Sequence, residues 1–451
     1  MRKHLAFLVV CLLMLSLHNS TASAMDFDFD DLFGDDLFVD FAEDQTAVRP
    51  EEAFLVQERW DLGGNYRFSV RAARTMFEGM DPVDTLGTSL GGQVYLDARP
   101  DPNFRVFGKV DLNYAVSKQI GQDRQARDPL SINLQELFSD FNYDNQVFFR
   151  AGKQKVKWGV GYFFSPADVI NIGRINPLDP GVELEGPVAL KAHYPRGTTN
   201  YYLYTLFDGV TTPDQVALAP KMEFVLGGTE IGLGGFYQKD KVPRAMLTMS
   251  SSLGNLAVFA EAVVLKGSDK GFVDALPLNY PVVKKDPLFF HLTAGARYSH
   301  TDSAGLFNLT GAAQYYFNGE GYENQEHMQN FRKYYATLLA MAQMDPENEE
   351  IKRALAKINP ADMTSTGRHY LAAMVGWNNL LNTKLSASAF LNANLSDQSG
   401  MVTTTLSLPS ISKISPSVGV SFNYGDVATE FGALGRNTTI FAAITLGSGS
   451  F

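Results

Sequence analysis

Apolar and polar residues alternate with a period of two over long stretches of this chain. In 104–116 one face carries Phe104, Val106, Gly108, Val110, Leu112 and Tyr114, and the other carries Arg105, Phe107, Lys109, Asp111 and Asn113. In 289–300, Phe290, Leu292, Ala294, Ala296 and Tyr298 oppose His291, Thr293, Gly295, Arg297 and Ser299. In 383–395 a row of Leu and Ala from Leu385 to Leu395 opposes Lys384, Ser386, Ser388, Asn392 and Asn394. In 414–424, Val418, Val420, Phe422 and Tyr424 oppose Ser417, Gly419, Ser421 and Asn423. This is the period of a β-strand with two unlike faces. A soluble sandwich alternates as well, but strands of about ten residues or more, with Tyr114, Phe317 and Tyr424 near their ends, favour a membrane barrel with aromatic girdles. Charges of both signs on one face of 104–116 then line a water-filled lumen.

The connections alternate too. Short turns rich in Pro, Gly, Asn, Asp and Ser fall at 99–103, 143–145, 195–199, 227–228, 253–255, 301–304, 378–381 and 409–412. Between them lie longer connections near 75–88, 117–131, 158–187, 208–220, 267–288, 318–367 and 425–436, with two short exceptions near Asp240 and Ser396. Outer-membrane barrels have this asymmetry because their periplasmic turns are tight and their outer loops are free to grow. The pattern predicts an all-β fold, a transmembrane antiparallel barrel of about 18 strands (roughly 16–18), with both chain ends in the periplasm. A barrel of that size leaves an aqueous channel, whereas one of about 8 strands is filled by its own side chains. The connection 318–367 reads as a helical insert in one outer loop, because Met328, Phe331, Tyr335, Leu338, Leu339 and Ala342 recur at helical spacing. Asp345 as N-cap and Pro346 at the first helical position predict a second helix with Ile351, Ala354, Leu355 and Ile358 on one face. Such a pair is either a lid or inward plug, or a surface hairpin with its faces packed together.

The N-terminus fits export. Arg2 and Lys3 precede an apolar run from Leu5 to Leu17, and Ala22-Ser23-Ala24 offers a cleavage site, so 1–24 reads as a signal peptide. The run is shorter than the roughly 20 residues a spanning helix needs. The only cysteine, Cys11, lies within it, so the mature chain has no disulfide and no cysteine metal site. Residues 25–60 form an acidic periplasmic segment ahead of a barrel at 61–451. In it Asp26, Asp28, Asp30, Asp31, Asp35 and Asp36 interleave with Phe27, Phe29, Phe33 and Phe38. Self-repulsion extends this tail, which is a solvated segment, a docking segment for a periplasmic partner or a strand closing the barrel. A net charge of -11 argues against nucleic acid as a partner. The chain ends in Phe451, as clients of the outer-membrane assembly machinery commonly do, although the terminal alternation breaks at Gly447.

The stretch from Ile132 to Tyr194 carries the most information. A strand with a central Glu136 leads through a turn at Asp144-Asn145 to a strand ending in Gly152-Lys-Gln154. Trp158-Gly159 follows, then Ser165-Pro166-Ala-Asp168 and Asn171. This resembles outer-membrane barrels of the porin and alginate-export type, in which a strand with a central Glu precedes G-[RK]-Q, W-G and a loop with S-P-x-D. The resemblance implies a barrel and a transport role in the envelope, and the matching positions are Glu136, Gln154, Trp158, Gly159, Ser165, Pro166, Asp168 and Asn171. From the residues themselves, the Gly- and Pro-rich connection 158–187 is able to fold inward and narrow the pore. Asp168, Arg174, Asp179, Glu183 and Glu185 would then meet Arg105, Lys109 and Arg150 across the lumen, beside Asp111, Gln154 and Arg297. Opposed charge rings are a common way to build a selective constriction. The alternative packs Trp158, Tyr162 and Phe163 on the barrel rim and leaves the charges solvated. Lys153, Lys155 and Lys157 share one face; either a bulge near Gly152 turns them into the lumen or they lie beyond the membrane edge.

The five histidines of the mature chain stand in no metal-ligand spacing and no nucleophile motif occurs, so neither catalysis nor a cofactor is expected. The expected function is a porin-like channel for passive diffusion of small hydrophilic solutes in the outer membrane of a diderm bacterium. Its partners are the lipid bilayer, the outer-membrane assembly machinery and the solutes. Two other readings stand beside it: a substrate-specific channel for a carbohydrate polymer, and a surface or assembly barrel whose loops bind partners. No outward polar patch identifies a subunit interface, which leaves the oligomeric state open.

Overall fold

The structure is a computed structural model that describes residues 60–120, 129–156, 158–171, 186–274, 279–302, 308–380, 383–433 and 435–450. The expectations for the signal peptide, the acidic segment 25–45, Lys157 and Phe451 lie outside these residues.

Eleven strands open the chain: β1 (Trp60–Phe77), β2 (Val83–Asp101), β3 (Phe104–Gln119), β4 (Leu130–Tyr143), β5 (Val147–Lys153), β6 (Val188–Arg196), β7 (Thr199–Leu206), β8 (Ala217–Leu226), β9 (Thr229–Phe236), β10 (Arg244–Leu253) and β11 (Leu256–Lys266). A two-stranded ribbon follows, β12 (Phe272–Asp274) and β13 (Asn279–Val282). Then come β14 (Leu288–Thr301), β15 (Asn308–Asn318), β16 (His369–Asn378), β17 (Ser386–Asn394), β18 (Ser399–Ser407), β19 (Ile414–Tyr424) and β20 (Asn437–Ser450). Apart from the ribbon, these make one antiparallel sheet of 18 strands. Strand β20 closes on β1 from Phe77↔Asn437 to Asn65↔Ser450, so the sheet is a barrel without a free edge.

The two phases of each strand meet different surroundings. Leu90, Leu112, Leu134, Leu203, Phe290, Val375, Val420 and Ile444 stand exposed on the outer face. The opposite phase brings Arg105, Lys109, Glu136, Arg150, Lys221, Glu261 and Thr403 to the inside, where they are buried. An apolar exterior around a polar interior suits hydrocarbon, not water. The molecule is a transmembrane β-barrel of the outer-membrane type. Its short turns gather at one rim and its loops at the other, with one difference from the sequence pattern. The connection expected near 75–88 is only the turn 78–82, because β1 and β2 continue the alternation to Phe77 and from Val83.

Strand β5 is short, and its last pairs are Phe138↔Gly152 and Leu137↔Lys153. Gly152 has φ +130°, and a Cβ there would lie 2.3 Å from the Leu137 carbonyl oxygen. Only glycine accommodates both conditions. The chain therefore leaves the wall here, which cuts the lysine row instead of carrying it onward as strand. We expect Gly152→Ala to lower stability by about 1–3 kcal/mol, read as the midpoint of urea unfolding from lipid vesicles. An unchanged midpoint would show that the hairpin relaxes freely.

The helical insert forms α1 (Gln325–Met344) and α2 (Glu349–Ala356). Asp345 closes α1, its backbone N–H bonding to the Met341 carbonyl, and does not begin α2. Asn348 caps α2, its side chain accepting from the N–H groups of Glu350 and Ile351. Met328, Phe331 and Leu338 pack with Phe272 and Val273 of the ribbon, with Tyr322 and with Ile358. The apolar faces of the helices are thus covered by each other and the ribbon. Arg332 ties this cap to the neighbouring loops through the carbonyl of Ala428 (3.1 Å) and the Thr366 hydroxyl (2.7 Å). Glu430 accepts from Tyr370 Oη (2.6 Å), Asn394 Nδ2 (2.8 Å) and Ser365 N–H (2.9 Å).

Candidate functional site

Beyond Lys153 the chain turns into the barrel, and residues of the sequence motif hold it there. Gln154 fixes the departure: its N–H donates to the Pro187 carbonyl (3.0 Å) and its Nε2 to the Ala189 carbonyl (2.9 Å). Lys155 N–H donates to Glu136 Oε1 on the lumen face of β4 (3.0 Å). Asn171 accepts from Val156 N–H (3.3 Å), and its amide donates to both oxygens of Asp168 (3.0 Å each). Trp158 is 1% exposed and meets Tyr204 edge to face at 5.2 Å. Lys221 Nζ donates to the Trp158 carbonyl at 2.7 Å. Together with Val156, Ala167 and Ile170, Trp158 covers Ala189, Ala219, Met246 and Val263 on the inner wall from β6 to β11.

The loop then reaches further strands. Glu261 on β11, 3% exposed, accepts from Val160 N–H (2.6 Å), Gly161 N–H (2.6 Å), Ser165 Oγ (2.9 Å) and Ala167 N–H (2.9 Å). Gln314 on β15 accepts from the N–H groups of Tyr162 (3.1 Å), Phe163 (2.7 Å) and Phe164 (3.3 Å). Phe163 is fully buried against Ala372, Met374, Phe390, Met401 and Phe441. Phe164 stacks on Tyr316 at 5.3 Å, and the Arg297 guanidinium lies 5.0 Å from the Tyr162 ring centre. The motif glycine has a steric reason, since a Cβ on Gly159 would lie 1.9 Å from Ser165 Oγ and 2.5 Å from Glu261 Oε1.

The basic residues expected to meet the loop acids take partners along the wall. Arg105 bonds Asp97 (2.9 and 3.0 Å) and Asp140 (3.0 Å); Arg150 bonds the same Asp140 (2.7 and 3.1 Å). Arg99 joins Asp97 at 2.8 Å, and Arg150 lies 3.9 Å over the Phe138 ring. Lys109 stands in register with Glu136, and Asp111 accepts from Gln135. Cross-strand neighbours are simply nearer than the far wall. Arg174, Asp179, Glu183 and Glu185 lie outside the described residues. The lumen has an unlike second side: β17 to β20 contain no charged residue, and Ser386, Ser388, Asn392, Thr403, Thr405, Ser417 and Ser421 share their inward phase. Thr403 Oγ1 donates to Ser421 Oγ at 2.9 Å.

No protein-family model and no curated protein matches the sequence. Among solved structures, the chain is similar to OccAB1 of Acinetobacter baumannii, with 11% identity over 87% of this chain and 97% of that one and a TM-score of 0.46. It is also similar to the outer membrane protein OpdK of Pseudomonas aeruginosa, with 7% identity over 87% and 99% and a TM-score of 0.46. A mutant porin of Rh. blastica gives 10% identity over 86% and 100%, with a TM-score of 0.39. The fold assignment stands on the closed strand ladder of the chain itself.

Asp168 is the titrating group of the loop. Burial pushes its carboxyl from 3.8 up to about 6, against the hydrogen bonds from Asn171 and with help from the nearby Glu261 charge. A carboxyl raised on docking favours the docked loop at low pH, and that contribution is lost as pH rises through about 6. Current noise in single channels is expected to grow over that interval and level off above it. Asp168→Asn should flatten the profile, and an unchanged profile in that variant would assign the pH response elsewhere.

Glu261, Gln314, Asp97 and Asp140 were not legible as site residues. Glu261 did leave a signal, being the single charge in Leu256–Leu265, a strand otherwise apolar on both faces. Gln314 left none.

Proposed function

We propose that the protein is a porin-like channel that passes small hydrophilic solutes across the outer membrane by passive diffusion, its bore set by the loop that enters at Gln154. The observation that carries this reading is the docking of 158–168 across the inner faces of β8, β10, β11, β15 and β17, inside a barrel of 18 strands. A barrel of that size has room for an aqueous path beside such a loop. The path has a charged side, with the half-buried Asp111 and Arg297, and a hydroxyl side, with the half-buried Ser386, Ser388 and Ser421 of β17 and β19. Solutes of either sign and neutral solutes thus find partners for the water they give up. A carbohydrate-specific channel is the second reading, favoured by that uncharged hydroxyl wall near the Tyr162 and Phe164 rings.

The test is single-channel conductance of the refolded mature protein beside a variant in which 156–186 is replaced by a short Gly-Ser turn. The hydrogen bond from Gln154 to Pro187 brings the two ends together. Discrete steps in both, larger in the variant, are expected. Partial block by oligosaccharides but not by organic ions would move the assignment to the carbohydrate reading. Silence of both proteins, with a folded and heat-modifiable barrel on gels, would overturn the channel.

A further inference from the structure

We infer that Glu261 is the latch of the loop: a wall carboxylate that, with Gln314 as its neutral companion, keeps 160–167 docked and so sets the conducting state. This rests on the channel reading above and adds the residue that regulates it. The charge sits on β11, yet among the described residues its hydrogen-bond donors all belong to the loop, about 94–101 positions earlier in the chain. Both carboxylate oxygens are used, Oε1 by Val160, Gly161 and Ser165, and Oε2 by Ala167.

The dependence is mutual. A carboxylate this deeply buried is tolerated only when donors surround it, and buried N–H groups are tolerated only when an acceptor faces them. Three of the four donors are backbone, so any loop of this shape would present them; the charge on the wall decides whether they are met. An amide does not replace it. In Glu261→Gln one oxygen becomes an NH2 group, which sets a donor against either Ala167 N–H or the Val160, Gly161 and Ser165 trio. Gln314 cannot take over, because its oxygen is already shared among Tyr162, Phe163 and Phe164. Gly159 and Gly161 belong to the same device, since a Cβ on Gly159 would collide with the carboxylate and one on Gly161 would lie 2.0 Å from the Phe164 carbonyl oxygen.

The mature chain has no cysteine, so Ala167→Cys supplies a unique thiol at a position that is 0% exposed. The experiment measures its labelling by a membrane-impermeant maleimide in vesicles, with and without Glu261→Gln, together with conductance and urea unfolding. Labelling at least about tenfold faster in E261Q, with an unchanged unfolding midpoint and larger conductance steps, is expected. Faster labelling with unchanged conductance would keep the latch and overturn the loop as the limit of the bore. Equal labelling rates in two folded proteins would overturn the latch. Should E261Q not fold, Ser165→Ala removes one donor from the loop side; it should still raise labelling, and no rise there overturns the latch as well.

Discussion

Asp140→Ala is expected to destabilise the barrel by about 3–5 kcal/mol, the cost of breaking a buried ion pair by removing one partner. Asp140 is 0% exposed and holds two guanidiniums, Arg105 at 3.0 Å and Arg150 at 2.7 and 3.1 Å. After its loss Arg105 keeps the bidentate bond to Asp97, whereas Arg150, over the Phe138 ring, loses both of its bonds to Asp140. That asymmetry gives the test its second arm. Asp140→Ala with Arg150→Met removes the pair together and should recover much of the loss, because apolar replacement of a buried pair is often close to neutral. Urea unfolding from lipid vesicles measures all three proteins. A loss below about 1 kcal/mol in Asp140→Ala would place the network in the range of solvent-exposed pairs, open to water.

The contrast between this network and the loop shows which parts of the molecule were legible. Alternation gave the strands closely: 104–116, 289–300 and 414–424 are β3, β14 and β19 within a few residues, because the period of two is local and each face has one solvent. Asp140 belongs to the same alternation but stayed unread as a partner. Its meeting with Arg105 depends on the register of β3 on β4, and that register includes an extra residue at Gln135 that alternation alone does not reveal. The motif Gln154, Trp158, Gly159, Ser165 and Asn171 was visible as residues, and its inward turn was one of two open possibilities. What receives it lay out of reach. Glu261 and Gln314 lie about 94–152 positions away, and inward polar residues are the rule in such barrels, so each looks like ordinary lumen lining. Exceptions to alternation were the better guide. Phe390 and Phe441 are large rings on the polar phase of their strands, and both belong to the seat of the loop tip.

That seat leads to the second large effect: Phe163→Ala is expected to remove about 3–5 kcal/mol of packing at the loop tip. The ring is fully buried with its centre 5.8 Å from that of Phe390, and Met374, Met401 and Phe441 complete the pocket. None of the strand pairs is disturbed, so the loss should appear first as a freed loop, with noisier and larger single-channel steps, and less in the unfolding midpoint. A double-mutant cycle with Phe390→Ala isolates the ring pair, which should couple by about 0.5–1.5 kcal/mol. Phe163→Leu keeps an apolar side chain in the pocket and should lie between wild type and Phe163→Ala. Quiet, unchanged steps in Phe163→Ala would mean that the hydrogen bonds to Glu261 and Gln314 hold the loop alone. The physical expectation is otherwise: those bonds replace bonds to water, whereas burial of the Phe163 ring has no equivalent in the undocked loop, so the ring adds to what the bonds supply. Docking should therefore need both, the ring for burial and the carboxylate as the latch that holds 160–167 on the wall.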